Sequence, residues 1–189
     1  MTFYNVISGI LFMGAFQAFV AAHGTPAMGM AAILVAILCN EAVLTSELLE
    51  RKESPVPYTL AMKFIDLLTF FVLAYALMVV SPRQNTFGTN LDGILFGANR
   101  PAMFCALLTA YWALTLWWNQ KAGQNLAAVW RSWFIGARVA LIGVFGIAAL
   151  LYLPYRTFAE ISWWPPLILV ALTVAYMLAK LSPVTRPSA

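Results

Sequence analysis

Six stretches of roughly 20 apolar residues, each bounded by turn-forming or charged residues, leave this chain few ways to fold. An α-helix of about 20 residues crosses the roughly 30 Å of hydrocarbon in a bilayer. In lipid, every backbone N–H and C=O must be satisfied within the segment or in a closed barrel, and barrel strands alternate apolar with polar residues. These runs are continuously apolar, so helices are expected. Their boundaries read as 3–22, 27–48, 58–80, 101–119, 129–153 and 165–181. With 62% hydrophobic and 10% charged residues, the composition lies outside the range of soluble domains. The sequence therefore predicts an all-α polytopic membrane protein: six transmembrane helices in a compact bundle, residues 1–189 as a single transmembrane domain, and no soluble domain.

The punctuation between the runs has physical content. His23-Gly24-Thr25-Pro26 reads as a tight turn, and Glu50-Arg51-Lys52-Glu53-Ser54-Pro55 as a solvated loop. Asn99 followed by Pro101 reads as a helix start with proline in the first turn, and Trp163-Trp164-Pro165-Pro166 does the same for the last helix. The longest connection, Pro82 to Arg100, carries three glycines and is expected to be an exposed loop.

Lysine and arginine set the expected orientation. Arg51, Lys52, Lys63, Lys121, Arg131, Lys180 and Arg186 lie in or beside the segments that share a side with the termini, against Arg83, Arg100 and Arg156 opposite. By the positive-inside rule both termini are expected in the cytoplasm, the protein spanning a bacterial-type inner (plasma) membrane several times. That asymmetry, with attraction to anionic lipid, accounts for the net charge of +4, and no basic patch interleaved with aromatics suggests nucleic acid. Val20-Ala21-Ala22 resembles a signal-peptide cleavage site, but no basic residue precedes the first apolar run, so the segment is expected to be retained. Trp117-Trp118, Trp130, Trp133, Tyr152, Tyr155 and Trp163-Trp164 suit two headgroup levels.

The chain offers little to a metal or cofactor, and none is expected. His23 is the lone histidine, with no cysteine or carboxylate near it at ligand spacing. Cys39 and Cys105 fall in predicted helices and read as buried, unreactive thiols. No G-x-S-x-G or H-E-x-x-H motif occurs, so no catalytic residues are assigned.

Against this background Glu41, Asp66 and Arg138 stand out as ionisable residues inside apolar runs. A charge in hydrocarbon costs a few kcal/mol or more and persists when it is paired, wetted or used. Each lies seven to ten residues from the same end of its predicted helix, roughly 10 to 15 Å deep at about 1.5 Å per residue. Glu41 and Thr45 are four apart, and Lys63, Asp66 and Thr69 three apart, so each helix carries a polar stripe; Asn40 adds an acceptor beside Glu41. As a structural brace, Arg138 would bridge the two carboxylates. As a functional site, Asn40, Glu41, Thr45, Asp66, Thr69 and Arg138 would bind an ion or small solute, because their acceptors exceed what one arginine satisfies.

The expectation is a small channel or transporter for an ion or small solute, a homo-oligomer or a partner of another membrane protein. The alternative is a non-catalytic membrane-embedded subunit or anchor. A third reading is an intramembrane enzyme using Glu41 and Asp66 as acid and base on a lipid-soluble substrate. A shift of 70 residues sets Leu44-Thr45 over Leu114-Thr115 and Glu41 over Tyr111, a weak internal repeat in which the carboxylate does not recur.

Overall fold

A computed structural model describes residues 3–50, 59–81, 99–121 and 128–181, with the side chains of 3–5, 42–50, 119–132, 134 and 180–181 left aside. These residues form six α-helices: α1 (Phe3–Ala21), α2 (Pro26–Glu50), α3 (Leu60–Val80), α4 (Arg100–Lys121), α5 (Ala128–Leu151) and α6 (Trp164–Leu181). A short 3₁₀ turn, Phe158–Glu160, lies between α5 and α6. The architecture is an all-α helical bundle. The loops at 51–58 and 82–98, for which solvated segments were expected, lie outside the described residues.

The helix ends follow from their local chemistry. The turn between α1 and α2 closes through Thr25 N to Ala22 O at 3.0 Å and Thr25 Oγ1 to the same oxygen at 2.7 Å. Gly24 there has φ +78°, a left-handed conformation that a side chain disfavours, and Pro26 starts α2 where its missing N–H costs nothing. Thr59 caps α3, its Oγ1 accepting from Met62 N at 3.3 Å. At the other end of α3, Ser81 N and Oγ both donate to Leu77 O, at 2.9 and 2.8 Å.

One end of the bundle is tied by the start of α4. Arg100 Nη2 donates to Ser81 O at 2.8 Å, Arg100 N donates to Arg156 O at 3.2 Å, and Asn99 Nδ2 donates to Leu153 O. The Arg100 guanidinium lies 6.0 Å from the centre of the Phe158 ring, which meets Phe104 edge-on at 6.3 Å. Nearby, a Cβ added to Gly29 of α2 would sit 3.0 Å from Pro166 Cβ, so α2 and α6 approach closely where they start. The ends of α3 and α5 and the starts of α2, α4 and α6 therefore share this level. Neighbours in sequence run antiparallel.

Packing closes these helices around an apolar core. α1 lies along α2, α2 along α6, α3 along α4 and α4 along α5, with lighter contacts between α1 and α3 and between α5 and α6. Ala15, Met30, Ile33, Ile37, Ala76, Phe104, Leu108 and Phe145 are sealed at its centre. Cys105 belongs to this core, whereas Cys39 is exposed, contrary to the expectation that both thiols are buried. Between α1 and α3 an open, mostly apolar groove of about 610 Å³ is lined by Val6, Gly9, Ile10, Met13, Gln17 and Leu77.

The six-span, multi-pass inner-membrane reading does not hold. Among the described residues only α3, over Leu60–Val80, and α4, over Arg100–Trp118, are long and apolar enough to cross a membrane. Among the described residues the apolar stretches of the other four helices are Val6–Ala21, Pro26–Glu41, Ile135–Leu151 and Trp164–Ala179, each shorter than 18 residues. The expected placement of both termini in the cytoplasm rested on six crossings and falls with them.

Candidate functional site

Three polar or charged residues are buried among the described side chains: Asn40 on α2, Arg138 on α5 and Thr173 on α6. Thr173 is satisfied within its own helix, its Oγ1 donating to Leu169 O at 2.8 Å. Arg138 belongs to a polar cluster in the half of the bundle away from Arg100, and Asn40 precedes Glu41 of that cluster on α2. Glu41 lies nine residues before the end of α2, and Arg138 ten residues after the start of α5, so both sit about 14 to 15 Å from their helix ends.

Two tyrosines hold the charged groups. Tyr111 Oη donates to Glu41 Oε1 at 2.8 Å, joining α4 to α2. Arg138 Nε donates to Tyr176 Oη at 2.7 Å, joining α5 to α6, and Arg138 Nη1 donates to Thr115 O of α4 at 3.3 Å. Trp112 fills the space between the tyrosines. Its ring meets Tyr111 at 5.0 Å and Tyr176 at 5.1 Å, both edge-on, the geometry that aromatic quadrupoles favour. The charges of Glu41 and Arg138 both act on each tyrosine hydroxyl, so the four groups form one electrostatic unit.

Comparison with known proteins adds nothing to this geometry. No known protein family, curated protein or solved structure matches the chain.

The residues singled out in the sequence fall into different situations. Glu41 and Arg138 enter the same cluster, but through tyrosines. The hydrogen bonds of Arg138 go to Tyr176 and Thr115, and neither acceptor is a carboxylate. Asn40 is 3% exposed, and its Oδ1 has no hydrogen-bond partner. Asp66 is half-buried on α3 and interacts there, outside the hydrogen bonds of Arg138. Thr69 turns its hydroxyl back onto α3, donating to Ile65 O at 2.8 Å. Thr45 lies on α2 with its side chain outside the described residues. Among the described residues no group of three histidine, cysteine, aspartate or glutamate side chains converges as a metal site would require.

Sequence reasoning missed Tyr111, Trp112 and Tyr176. A signal for the tyrosines was available: both lie well inside apolar helices, and a buried phenol needs a partner for its hydroxyl. Trp112 carried no such distinction from the tryptophans near the helix ends. It is 1% exposed and its Nε1 is sealed without an acceptor, while Trp117, Trp133 and Trp164 are exposed.

Chemically the cluster combines a carboxylate that accepts from a phenol, a guanidinium with neutral acceptors and, among the described residues, a sealed indole Nε1 without an acceptor. Desolvated groups of this kind bind strongly to whatever completes them. Nothing in the arrangement resembles a nucleophile beside a base.

Proposed function

We propose that the protein is a membrane channel or transporter for an ion or small solute, with the cluster of Glu41, Tyr111, Tyr176 and Arg138 as its binding site. α3 and α4, which among the described residues are long and apolar enough to cross a membrane, supply the bilayer contact. The exposed side chains of α3, Leu60, Phe64, Leu67, Phe71 and Met78, favour an apolar surround.

One observation carries the reading. Arg138 is a buried cation whose hydrogen bonds end on a phenol and a peptide carbonyl. A brace that served stability alone would neutralise this charge against Glu41, because a buried charge is costly unless it is directly paired. Here Tyr111 engages the carboxylate instead, and among the described residues no hydrogen bond of Arg138 ends on a carboxylate.

Flux into liposomes containing the purified full chain tests the proposal. Glu41→Gln and Arg138→Lys should each change flux several-fold or more, the size expected when a charge at the site is altered, with the thermal midpoint within a few degrees of wild type. Loss of stability in both variants, with no flux from the wild type toward any small ion, would leave the cluster as a structural brace.

A further inference from the structure

We infer that Arg138 binds the carboxylate group of a small monoanionic solute, an assignment that rests on the solute-handling reading above and names the class of solute. A guanidinium has five N–H bonds. Tyr176 Oη takes the Nε bond and Thr115 O takes one from Nη1, so among the described residues one N–H of Nη1 and both of Nη2 have no hydrogen-bond acceptor. Nη2 is absent from the polar atoms that are both sealed and unpartnered, and the residue as a whole is 7% exposed. Solvent therefore reaches the open edge of a guanidinium that is otherwise enclosed. That edge is a planar fork, the shape that matches the two oxygens of a carboxylate.

Charge selects the valence of the ligand. Arg138 bonds Tyr176 and Glu41 accepts from Tyr111, the two tyrosines that Trp112 packs between, so a carboxylate side chain belongs to the same cluster as the guanidinium. A monoanion brings one negative charge to such a site, whereas a phosphate dianion brings two beside an existing carboxylate, an arrangement that like-charge repulsion disfavours. The surroundings select the body of the ligand. Tyr176, which bonds Arg138, packs edge-on against Trp112, which in turn meets Tyr111, so the packing behind the guanidinium is aromatic. Aromatic walls with few polar groups suit an apolar or very small organic anion.

The test is equilibrium binding of radiolabelled acetate to the detergent-solubilised full chain, with chloride and phosphate as competitors at matched ionic strength. Saturable acetate binding is expected. Arg138→Gln should weaken it about tenfold or more, as loss of a charge-assisted fork does, and Arg138→Lys should retain part of it. Glu41→Gln should tighten it several-fold, because a negative charge near the anion is removed; a cation site would respond in the opposite sense. The Glu41 variant keeps the result interpretable if Arg138→Gln fails to fold. Acetate binding without flux in liposomes would uphold the carboxylate site while overturning transport. Cation flux without acetate binding would overturn the carboxylate site while leaving transport standing. Equal or better competition by chloride or phosphate would also overturn the assignment.

Discussion

Tyr111 donates its hydroxyl proton to Glu41 across 2.8 Å, and this bond joins two helices, α2 and α4, that otherwise share little packing. The same device recurs between Arg138 and Tyr176, where α5 and α6 are also lightly packed. Polar bonds thus hold together helices with little apolar contact between them. The chemistry proposed for the site and the cohesion of this half of the bundle depend on the same atoms.

Removing either phenol should reveal that dual role. Tyr176→Phe strips the acceptor from a buried guanidinium and is expected to cost about 1.5 to 3 kcal/mol, the range for a hydrogen bond to a charged group. Tyr111→Phe should cost a similar or smaller amount, because Glu41 is only half-buried and has further interactions. Thermal unfolding of the two variants in one detergent checks the order.

Asn40 should behave in the opposite way. Its Oδ1 is sealed without a partner, a state that costs roughly 1 to 3 kcal/mol, so Asn40→Leu is expected to leave stability unchanged or raise it. If Asn40 contributes to solute handling, the same variant loses flux. A gain in thermal midpoint with a loss of flux is the signature to measure, and destabilisation would show that Asn40 is satisfied in the folded protein.

At the opposite end of the bundle, Gly29→Ala forces a methyl group to within 3.0 Å of Pro166 Cβ. The proline ring has little freedom to retreat, so α2 and α6 must separate, at an expected cost of about 1 to 3 kcal/mol. Gly14→Ala is a useful control: its contact is with the tip of the flexible Leu77 side chain, and its effect should be smaller.

Glu160 provides a pH dependence with a definite sign. Its carboxylate accepts from Arg156 N at 2.9 Å and from Thr157 Oγ1 at 2.9 Å, and these bonds, the backbone one foremost, hold it below the usual carboxylate range. A carboxylate with a depressed folded-state pKa contributes stability above its unfolded value of about 4.3, and loses it as pH falls through the folded value. Wild type should therefore lose stability on acidification more steeply than Glu160→Gln. Thermal midpoints from pH 6 downwards test this, and parallel profiles would show that the turn does not depend on the charged form.

Helices, their approximate limits and the turn at Gly24 were legible because each depends on local chemistry. A continuous apolar run, a proline in the first turn and a glycine with positive φ act over a few residues. The choice of Glu41 and Arg138 was legible for a related reason, since a charge in an apolar run is conspicuous wherever it ends up. Their partners were not. Tyr111 is 70 residues from Glu41 and Tyr176 is 38 from Arg138, and nothing in the chain marks those pairs before the helices pack.

By itself the sequence determined that this protein is helical, that its helices are strongly apolar and that a few ionisable groups must be accommodated inside them. Periodicity, capping and the cost of a buried charge act within one segment, so one segment suffices to read them. Only the tertiary structure decided that two helices have the length and apolarity for a bilayer, that Thr69 satisfies itself, and that Arg138 and Glu41 are held by tyrosines instead of by each other. Those outcomes depend on which faces of different helices meet, and burial and hydrogen-bond geometry between distant residues exist only once the bundle is assembled.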